Sequence, residues 1–263
     1  MIQVKNLIKK YGDFTAVGDI TFSVARGEIF AFLGPNGAGK TTTIKMLTTL
    51  LKPTGGSVNI DGLDPALHAN EVRKRFGIVF QDPSLDDELT AWENMDFHGV
   101  LYKVPRAERH QRTEQLLKLF ELWDRRGDPV KQFSGGMKRR LEIARGLLHT
   151  PRILFLDEPT LGLDPQTRNQ LWTHVKKLND TEQVTVFLTT HYMEEADRVA
   201  QRIAIIDHGK IVAQGTSQEL KQQTTSETLE QAFLALTGST IREEVPGSVD
   251  QMRTMARMFR PKR

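Results

Sequence analysis

The chain carries the stretch GPNGAGKTT at residues 34–42, a glycine-rich loop between two apolar segments. The loop consists of Gly34, Pro35, Asn36, Gly37, Ala38, Gly39, Lys40, Thr41 and Thr42. The apolar run at residues 29–33 has the length of a buried strand, and apolar residues recur at helical spacing after the loop. A strand, a G-x-x-x-x-G-K-S/T loop and a helix in this order predict a phosphate-binding loop. We expect Lys40 to bind the β- and γ-phosphates of a nucleotide and the Thr41 hydroxyl to bind Mg²⁺.

An acidic pair, Asp157 and Glu158, follows the apolar run at residues 153–156. That run lacks alternation, which is typical of a parallel strand covered on both faces. Ligands bind beyond the carboxyl ends of such strands, so we expect Asp157 to reach Mg²⁺. Glu158 points in a different direction and can hold a water in line with the γ-phosphate. Such a pair is usually a solvated strand end, but the phosphate loop upstream favours the catalytic interpretation.

A second glycine motif, FSGGM, occupies residues 133–137. It consists of Phe133, Ser134, Gly135, Gly136 and Met137. From Met137 onward, apolar residues share one helical face, so Ser134 is predicted to lie at a helix N-terminus, which is a second anion site. The first loop already surrounds the phosphates of its own nucleotide. We therefore expect Ser134 to serve ATP that is held by another copy of the chain.

Together these motifs resemble one family, the ATP-binding subunits of ABC transporters. In that resemblance residues 34–41 are the Walker A motif, and the Walker B motif ends at Asp157 and is followed by the catalytic Glu158. Residues 133–137 match the family's signature motif. The resemblance implies an ATPase that forms a homodimer around ATP and Mg²⁺ and drives a separate transmembrane permease.

Further positions match the family's pattern, over about residues 2 to 220. The resemblance implies that Tyr11 stacks on adenine and that Gln81 senses Mg²⁺ and the membrane partner. It also implies that Asp164 belongs to the D-loop and that His191 is the switch histidine near the γ-phosphate. The implied catalytic set is Glu158, His191, Gln81 and Lys40. The implied Mg²⁺ ligands are Thr41, Gln81 and Asp157.

Three variants of the family motifs point to one branch of it. The signature ends in Met137 where glutamine is usual, and the D-loop begins with Leu161 and Gly162 where the commoner pattern has serine and alanine. The stretch HYMEEAD at residues 191–197 is a third such feature. These variants resemble the exporters of drugs, lipids or polysaccharides that work with type-two permeases.

The fold that the resemblance implies is α/β: a P-loop NTPase (RecA-like) core with an N-terminal antiparallel β subdomain and an inserted α-helical subdomain. We expect an ATP-binding domain at residues 1–239 and a basic C-terminal tail at residues 240–263. Within the domain, the core would span about residues 1–84 and 150–221, and the helical subdomain about residues 85–149.

Composition and charge agree with this interpretation. Among 263 residues there is no cysteine, which excludes disulfides and thiolate metal sites. The first residues lack the apolar stretch of a signal peptide, and no run has the length of a membrane span. The resemblance implies a peripheral subunit at the cytoplasmic face of the cell membrane, and without a membrane span the transported solute would cross through another polypeptide.

Basic residues are concentrated at two places. In the tail they interleave with apolar residues at helical spacing, which predicts contact with the permease or with anionic lipid; the alternative is a frayed, solvated terminus. The run at residues 138–140 is KRR, and we interpret it as the solvated face of a helix. Since aromatic residues do not interleave with it, we expect no nucleic-acid partner.

Two other functions remain open at this point. One is an ABC ATPase without transport activity that is coupled to a cell-envelope signalling partner. The other is a P-loop kinase or GTPase, which would leave the motif at residues 133–137 unexplained.

Overall fold

The computed structural model describes residues 1–238, so the predicted basic tail at 240–263 lies outside the described residues. The strands are β1 (Ile2–Tyr11), β2 (Phe14–Val24), β3 (Ile29–Leu33), β4 (Gly55–Ile60), β5 (Phe76–Val79), β6 (Ile153–Asp157), β7 (Thr185–Thr190), β8 (Arg202–Asp207) and β9 (Lys210–Gly215). The helices are α1 (Lys40–Leu47), α2 (Ala69–Arg73), α3 (Ala91–Leu101), α4 (Arg106–Leu119), α5 (Gly135–Gly146), α6 (Pro165–Glu182), α7 (Met193–Val199), α8 (Ser217–Gln223) and α9 (Leu229–Thr237). The predicted α/β fold with an antiparallel N-terminal sheet is confirmed.

The N-terminal strands form a three-stranded antiparallel sheet in the order β2-β1-β4. Its buried face includes Ile20, Phe22 and Val24, which alternate along β2 as strand geometry requires. The antiparallel pairing ends at Val24, and β3 does not join this sheet. Instead β3 is buried along its whole length and pairs in parallel in a second sheet.

The second sheet has six strands in the order β5-β6-β7-β3-β8-β9. All its pairings are parallel except that of β9 with β8. Because parallel strands need crossover connections, the helices cover this sheet, and its central strands are buried on both faces. The loops that leave β3, β6 and β7 start from the same edge of the sheet.

The insertion between β5 and β6 is helical, as predicted. It contains α3, α4 and α5, and Ser134 caps the N-terminus of α5 by accepting a hydrogen bond from the Met137 N–H at 3.3 Å. Helix α4 ends at Leu119, and Glu121 takes a left-handed conformation with a φ of 56°.

A cluster of phenylalanine rings joins the two sheets. Phe187 of β7 contacts four other rings, with centroid distances of 5.6 to 6.0 Å. These partners are Phe22 of β2, Phe30 and Phe32 of β3, and Phe155 of β6. Since Phe187 is fully buried, its ring is a central part of the core beneath the loops.

Phe187→Ala should lower the free energy of unfolding by about 3–5 kcal/mol, because it removes a buried ring from a close-packed cluster. Phe97→Ala is the matched control: Phe97 on α3 is 60% exposed, so its loss should change stability by less than about 0.5 kcal/mol. Urea unfolding followed by circular dichroism measures both changes. Equal losses in the two variants would contradict this assignment of the core.

Candidate nucleotide site

The glycine-rich loop joins β3 to α1, as predicted. Gly39 has a φ of 113°, and a Cβ there would lie 2.7 Å from the Ala16 carbonyl oxygen, so glycine is required for both reasons. The first helical hydrogen bond runs from the Thr43 N–H to the Gly39 carbonyl. The N–H groups of Lys40, Thr41 and Thr42 lie in the first turn and have no partner one turn earlier in the helix. Such a turn can bind an anion.

Lys40 is folded over the loop and is only 7% exposed. Its Nζ donates to the Gly34 carbonyl at 2.7 Å and to the Pro35 carbonyl at 3.3 Å, and it lies 3.8 Å from Glu158 Oε1. Burial lowers the pKa of this ammonium, while the nearby carboxylates of Glu158 and Asp157 oppose the shift. A buried cation among carbonyl oxygens at the mouth of the loop is well placed to bind phosphate oxygens.

Asp157 ends β6 and is 2% exposed. Its Oδ1 accepts a hydrogen bond of 2.6 Å from the Thr189 hydroxyl. Burial raises the pKa of this carboxyl, and the charge of Glu158 raises it further. Within residues 1–238 it forms no ion pair closer than 4 Å. A buried carboxylate of this kind fits Mg²⁺, which proteins hold through one or two carboxylates together with substrate phosphates.

Glu158 points away from Asp157 because its backbone turns. Its φ of 49° lies in the left-handed region, which costs about 1–2 kcal/mol for a residue with a side chain. The Glu158 N–H donates to the Thr189 carbonyl at 3.2 Å and to the Thr189 hydroxyl at 3.1 Å, and these bonds stabilise the turn. Its Oε2 lies 2.8 Å from His191 Nδ1. The Glu158 carboxylate thus lies between the Lys40 ammonium and the His191 imidazole.

Two predicted Mg²⁺ ligands do not join the contacts that link Lys40, Glu158 and His191. Thr41 and Gln81 are both exposed, and in residues 1–238 neither side chain makes a hydrogen bond. Gln81 is held by its backbone, since its carbonyl accepts a hydrogen bond of 3.4 Å from Arg139. The side chains of both residues are therefore free to turn toward a ligand.

Tyr11 lies at the edge of the loop. It ends β1, its side chain is close to that of Thr42, and it is 36% exposed. Burial raises the pKa of its hydroxyl, and the Thr42 side chain opposes the shift. A half-exposed ring beside the phosphate loop suits stacking on a base.

The second glycine motif is separate from the first. Within the described residues no hydrogen bond or ion pair joins residues 133–137 to residues 34–42. Ser134 is exposed, whereas Gly136 packs so closely against Thr167 that a Cβ would lie 2.4 Å from its methyl carbon. Asp164 caps α6 by accepting from the Thr167 N–H at 3.0 Å and from its hydroxyl at 2.6 Å. The N-termini of α5 and α6 therefore lie side by side.

Three threonines and a buried glutamate around these residues were not predicted from the sequence. Thr189 bonds both acidic residues, as described above. Glu195, 5% exposed, accepts hydrogen bonds from Thr160 at 2.8 Å and from Thr190 at 3.4 Å. Burial raises the pKa of the Glu195 carboxyl. Through these two hydrogen bonds, Glu195 connects the segment after Glu158 to the segment that carries His191. The only signal in the sequence was that Thr189 and Thr190 precede His191 at the end of a strand.

Comparisons with known proteins agree with this geometry. Residues 17–161 match the family model "ABC transporter". The chain is 45% identical over 228 residues to the daunorubicin/doxorubicin resistance ATP-binding protein DrrA of Streptomyces peucetius, covering 87% of this chain and 69% of that protein. It is 42% identical over 220 residues to Nod factor export ATP-binding protein I of Ralstonia nicotianae, covering 84% of this chain and 68% of that protein.

A solved dimeric structure of a bacterial ABC transporter cassette superimposes with a TM-score of 0.74 at 33% identity, covering 82% of this chain and 98% of that one. Within residues 1–238, no helix combines the length and hydrophobicity that a membrane span requires. The family match spans more than half of the chain, and the phosphate loop, acidic pair and histidine meet at one edge of the sheet. The chain therefore belongs to the family of ABC transporter ATP-binding subunits and is an ATPase.

Proposed function

We propose that this ATPase is the motor subunit of a membrane exporter and that it works as a homodimer around two ATP molecules. The proposal rests on two helix N-termini of one chain, at Lys40 and at Ser134, that no hydrogen bond or ion pair joins within residues 1–238. Since the loop before Lys40 would already surround the phosphates of its own nucleotide, we expect Ser134 of that chain to contact a different nucleotide. A head-to-tail pair of chains resolves this, with each ATP between Lys40 of one copy and Ser134 of the other. The dimeric structure of the related cassette supports this arrangement.

Within each site the residues take distinct roles. Lys40 and the first-turn N–H groups of α1 bind and orient the phosphates. Glu158 accepts a proton from the attacking water, and His191 keeps its carboxylate oriented through the 2.8 Å contact. Tyr11 stacks on adenine.

Asp157, Thr41 and Gln81 would hold Mg²⁺, which neutralises the charge that develops on the phosphates. The exposed side chains of Thr41 and Gln81 would have to rotate to take part. Asp164 and residues 134–137 face the second copy, where the α5 N-terminus meets the partner's γ-phosphate.

The partner that crosses the membrane is a separate permease, with this chain bound at its cytoplasmic face. Export is supported by the relatives' names, one a drug-resistance protein and one an export protein. The proposal includes a core at about residues 1–84 and 150–221 and a helical subdomain at about residues 85–149. The helical subdomain is the part that we expect to contact the permease.

A patch of apolar side chains on α3 supports that expectation. Phe97, Val100 and Leu101 are 60%, 52% and 62% exposed and lie on one face of the helix. Helix α3 directly follows the loop that contains Gln81. Contiguous exposed apolar surface at such a place is typical of an interaction site.

Glu158→Gln should lower ATP turnover by about 10² to 10³, because the amide keeps the shape of the side chain but cannot take a proton. ATP should then hold the variant as a dimer, which light scattering after size exclusion detects. Glu194→Gln is the control, since Glu194 is exposed on α7. Near-normal hydrolysis by Glu158→Gln would show that another group activates the water.

Ser134→Arg should abolish hydrolysis but leave ATP binding nearly intact, whereas Lys40→Ala should lose binding itself. A mixture of the two inactive variants contains heterodimers with one complete site each. If one complete site can turn over alone, random pairing then predicts recovery to about one quarter of wild-type turnover. Equal loss of ATP affinity in Ser134→Arg and Lys40→Ala would contradict the sharing of each nucleotide between two chains.

Replacing Phe97 and Leu101 together by serine should abolish copurification of the permease that an affinity-tagged wild-type chain retains from gently solubilised membranes. Basal ATP turnover of the isolated chain should not change, because both side chains are exposed on α3. Leu67→Ser is the control, since Leu67 is 77% exposed on a different segment. Undiminished copurification with the double variant would place the permease contact elsewhere.

A further inference from the structure

Arg139 lies on α5 but reaches into the ATP site of its own chain. It is 7% exposed, although the run of basic residues around it suggested a solvated face. Its Nη1 donates to the Phe80 carbonyl at 2.6 Å. Its Nη2 donates to the Gln81 carbonyl at 3.4 Å and to the Glu158 carbonyl at 3.2 Å. One guanidinium therefore connects the segment with the predicted Mg²⁺ sensor to the segment with the predicted catalytic carboxylate.

Glu142, one turn further along α5, completes the network. Its Oε2 lies 3.0 Å from Arg139 Nη1, and the residue is 3% exposed. Its Oε1 accepts hydrogen bonds from the Ser84 N–H at 2.7 Å and from the Ser84 hydroxyl at 3.2 Å. The pair thus binds the start and the end of the segment at residues 80–84.

The geometry uses properties that only arginine offers. A guanidinium presents five N–H donors in a rigid plane, so it can bond carbonyls on two segments and a carboxylate at once. A lysine ammonium in the same place is a point charge with rotatable donors. Buried ion pairs can often be replaced by apolar residues with little loss of stability. A contribution to stability therefore does not distinguish this pair; the set of backbone atoms that it binds does.

We propose that Arg139, supported by Glu142, is a positioning residue for ATP hydrolysis. It holds the backbone of Gln81 and Glu158 against the helix whose N-terminus carries Ser134. Because Glu158 has a left-handed φ, the direction of its side chain depends on how both of its peptide groups are held; Thr189 holds its N–H and Arg139 its carbonyl. The inference rests on the roles proposed above for Glu158 and Gln81.

Two variants test the positioning role without leaving a buried charge unpaired. Arg139→Lys keeps a cation beside Glu142 but loses the planar set of donors. The double variant Arg139→Met with Glu142→Leu replaces the pair by apolar side chains of similar size. Arg140→Met is the matched control: it removes a positive charge one residue along α5, where the guanidinium binds the Phe120 carbonyl instead.

We expect both test variants to lower kcat by about 10- to 100-fold, since a misplacement of about 1 Å can cost about 10²-fold in rate. Their affinity for a fluorescent ATP analogue should stay within about twofold of wild type, and the urea midpoint of the double variant should be close to that of Arg140→Met. Wild-type kcat in both variants would overturn the proposal. So would a parallel fall of kcat, ATP affinity and urea midpoint, since that pattern indicates a purely structural role.

Glu158→Gln is measured in the same series. If Glu158→Gln is inactive while the Arg139 variants turn over normally, the positioning role of Arg139 is contradicted and the catalytic role of Glu158 stands. If Glu158→Gln hydrolyses ATP normally, the catalytic role assigned to Glu158 fails, and the inference fails with it.

Discussion

The parallel pairing of β3, β7 and β6 is the constraint on which the site depends. Leu33 pairs with Thr190, and Asp157 pairs with Thr189, so the three strands end at the same level. The loops that begin with Gly34, Glu158 and His191 therefore leave one edge of the sheet side by side. A shift of one residue in any pairing would turn every side chain of that strand to the opposite face. The buried phenylalanine cluster makes such a shift unfavourable, so the core fixes the geometry of the site.

Burial gives the site its electrostatic character. The pKa of Lys40 is lowered and that of Asp157 is raised, both chiefly because burial disfavours the charged form. The two shifts have one physical cause and point to the same need, which is for counter-charges inside the site. Triphosphate oxygens would satisfy the Lys40 ammonium, and a divalent cation would satisfy the Asp157 carboxylate. Burial of the two charges is unfavourable without counter-charges. The site is therefore well suited to bind ATP together with Mg²⁺.

The sequence predicts those parts of the structure that follow from local rules. Glycine spacing predicts the phosphate loop because the φ of Gly39 and its contact with Ala16 exclude any side chain. Unbroken apolar runs predict the parallel strands because such strands are covered on both faces. The contacts of Arg139 follow a local rule only in part. Its ion pair with Glu142 lies three residues along the same helix, but the backbone carbonyls that it binds belong to residues distant in the chain, which leave no pattern in the sequence.

The position of Arg139 would link the two sites of the proposed dimer. Helix α5 has Ser134 at its exposed N-terminus, where the partner's nucleotide is proposed to bind, and one turn later Arg139 holds the chain's own Glu158. Since the helix is a rigid element, a movement of its N-terminus toward a partner's phosphate also moves the carbonyls that Arg139 holds. In the proposed dimer, binding of ATP in one site would then change the position of the Glu158 carboxylate in the other. Coupling of this kind would need no further contact between the two chains, because a single helix would belong to both sites.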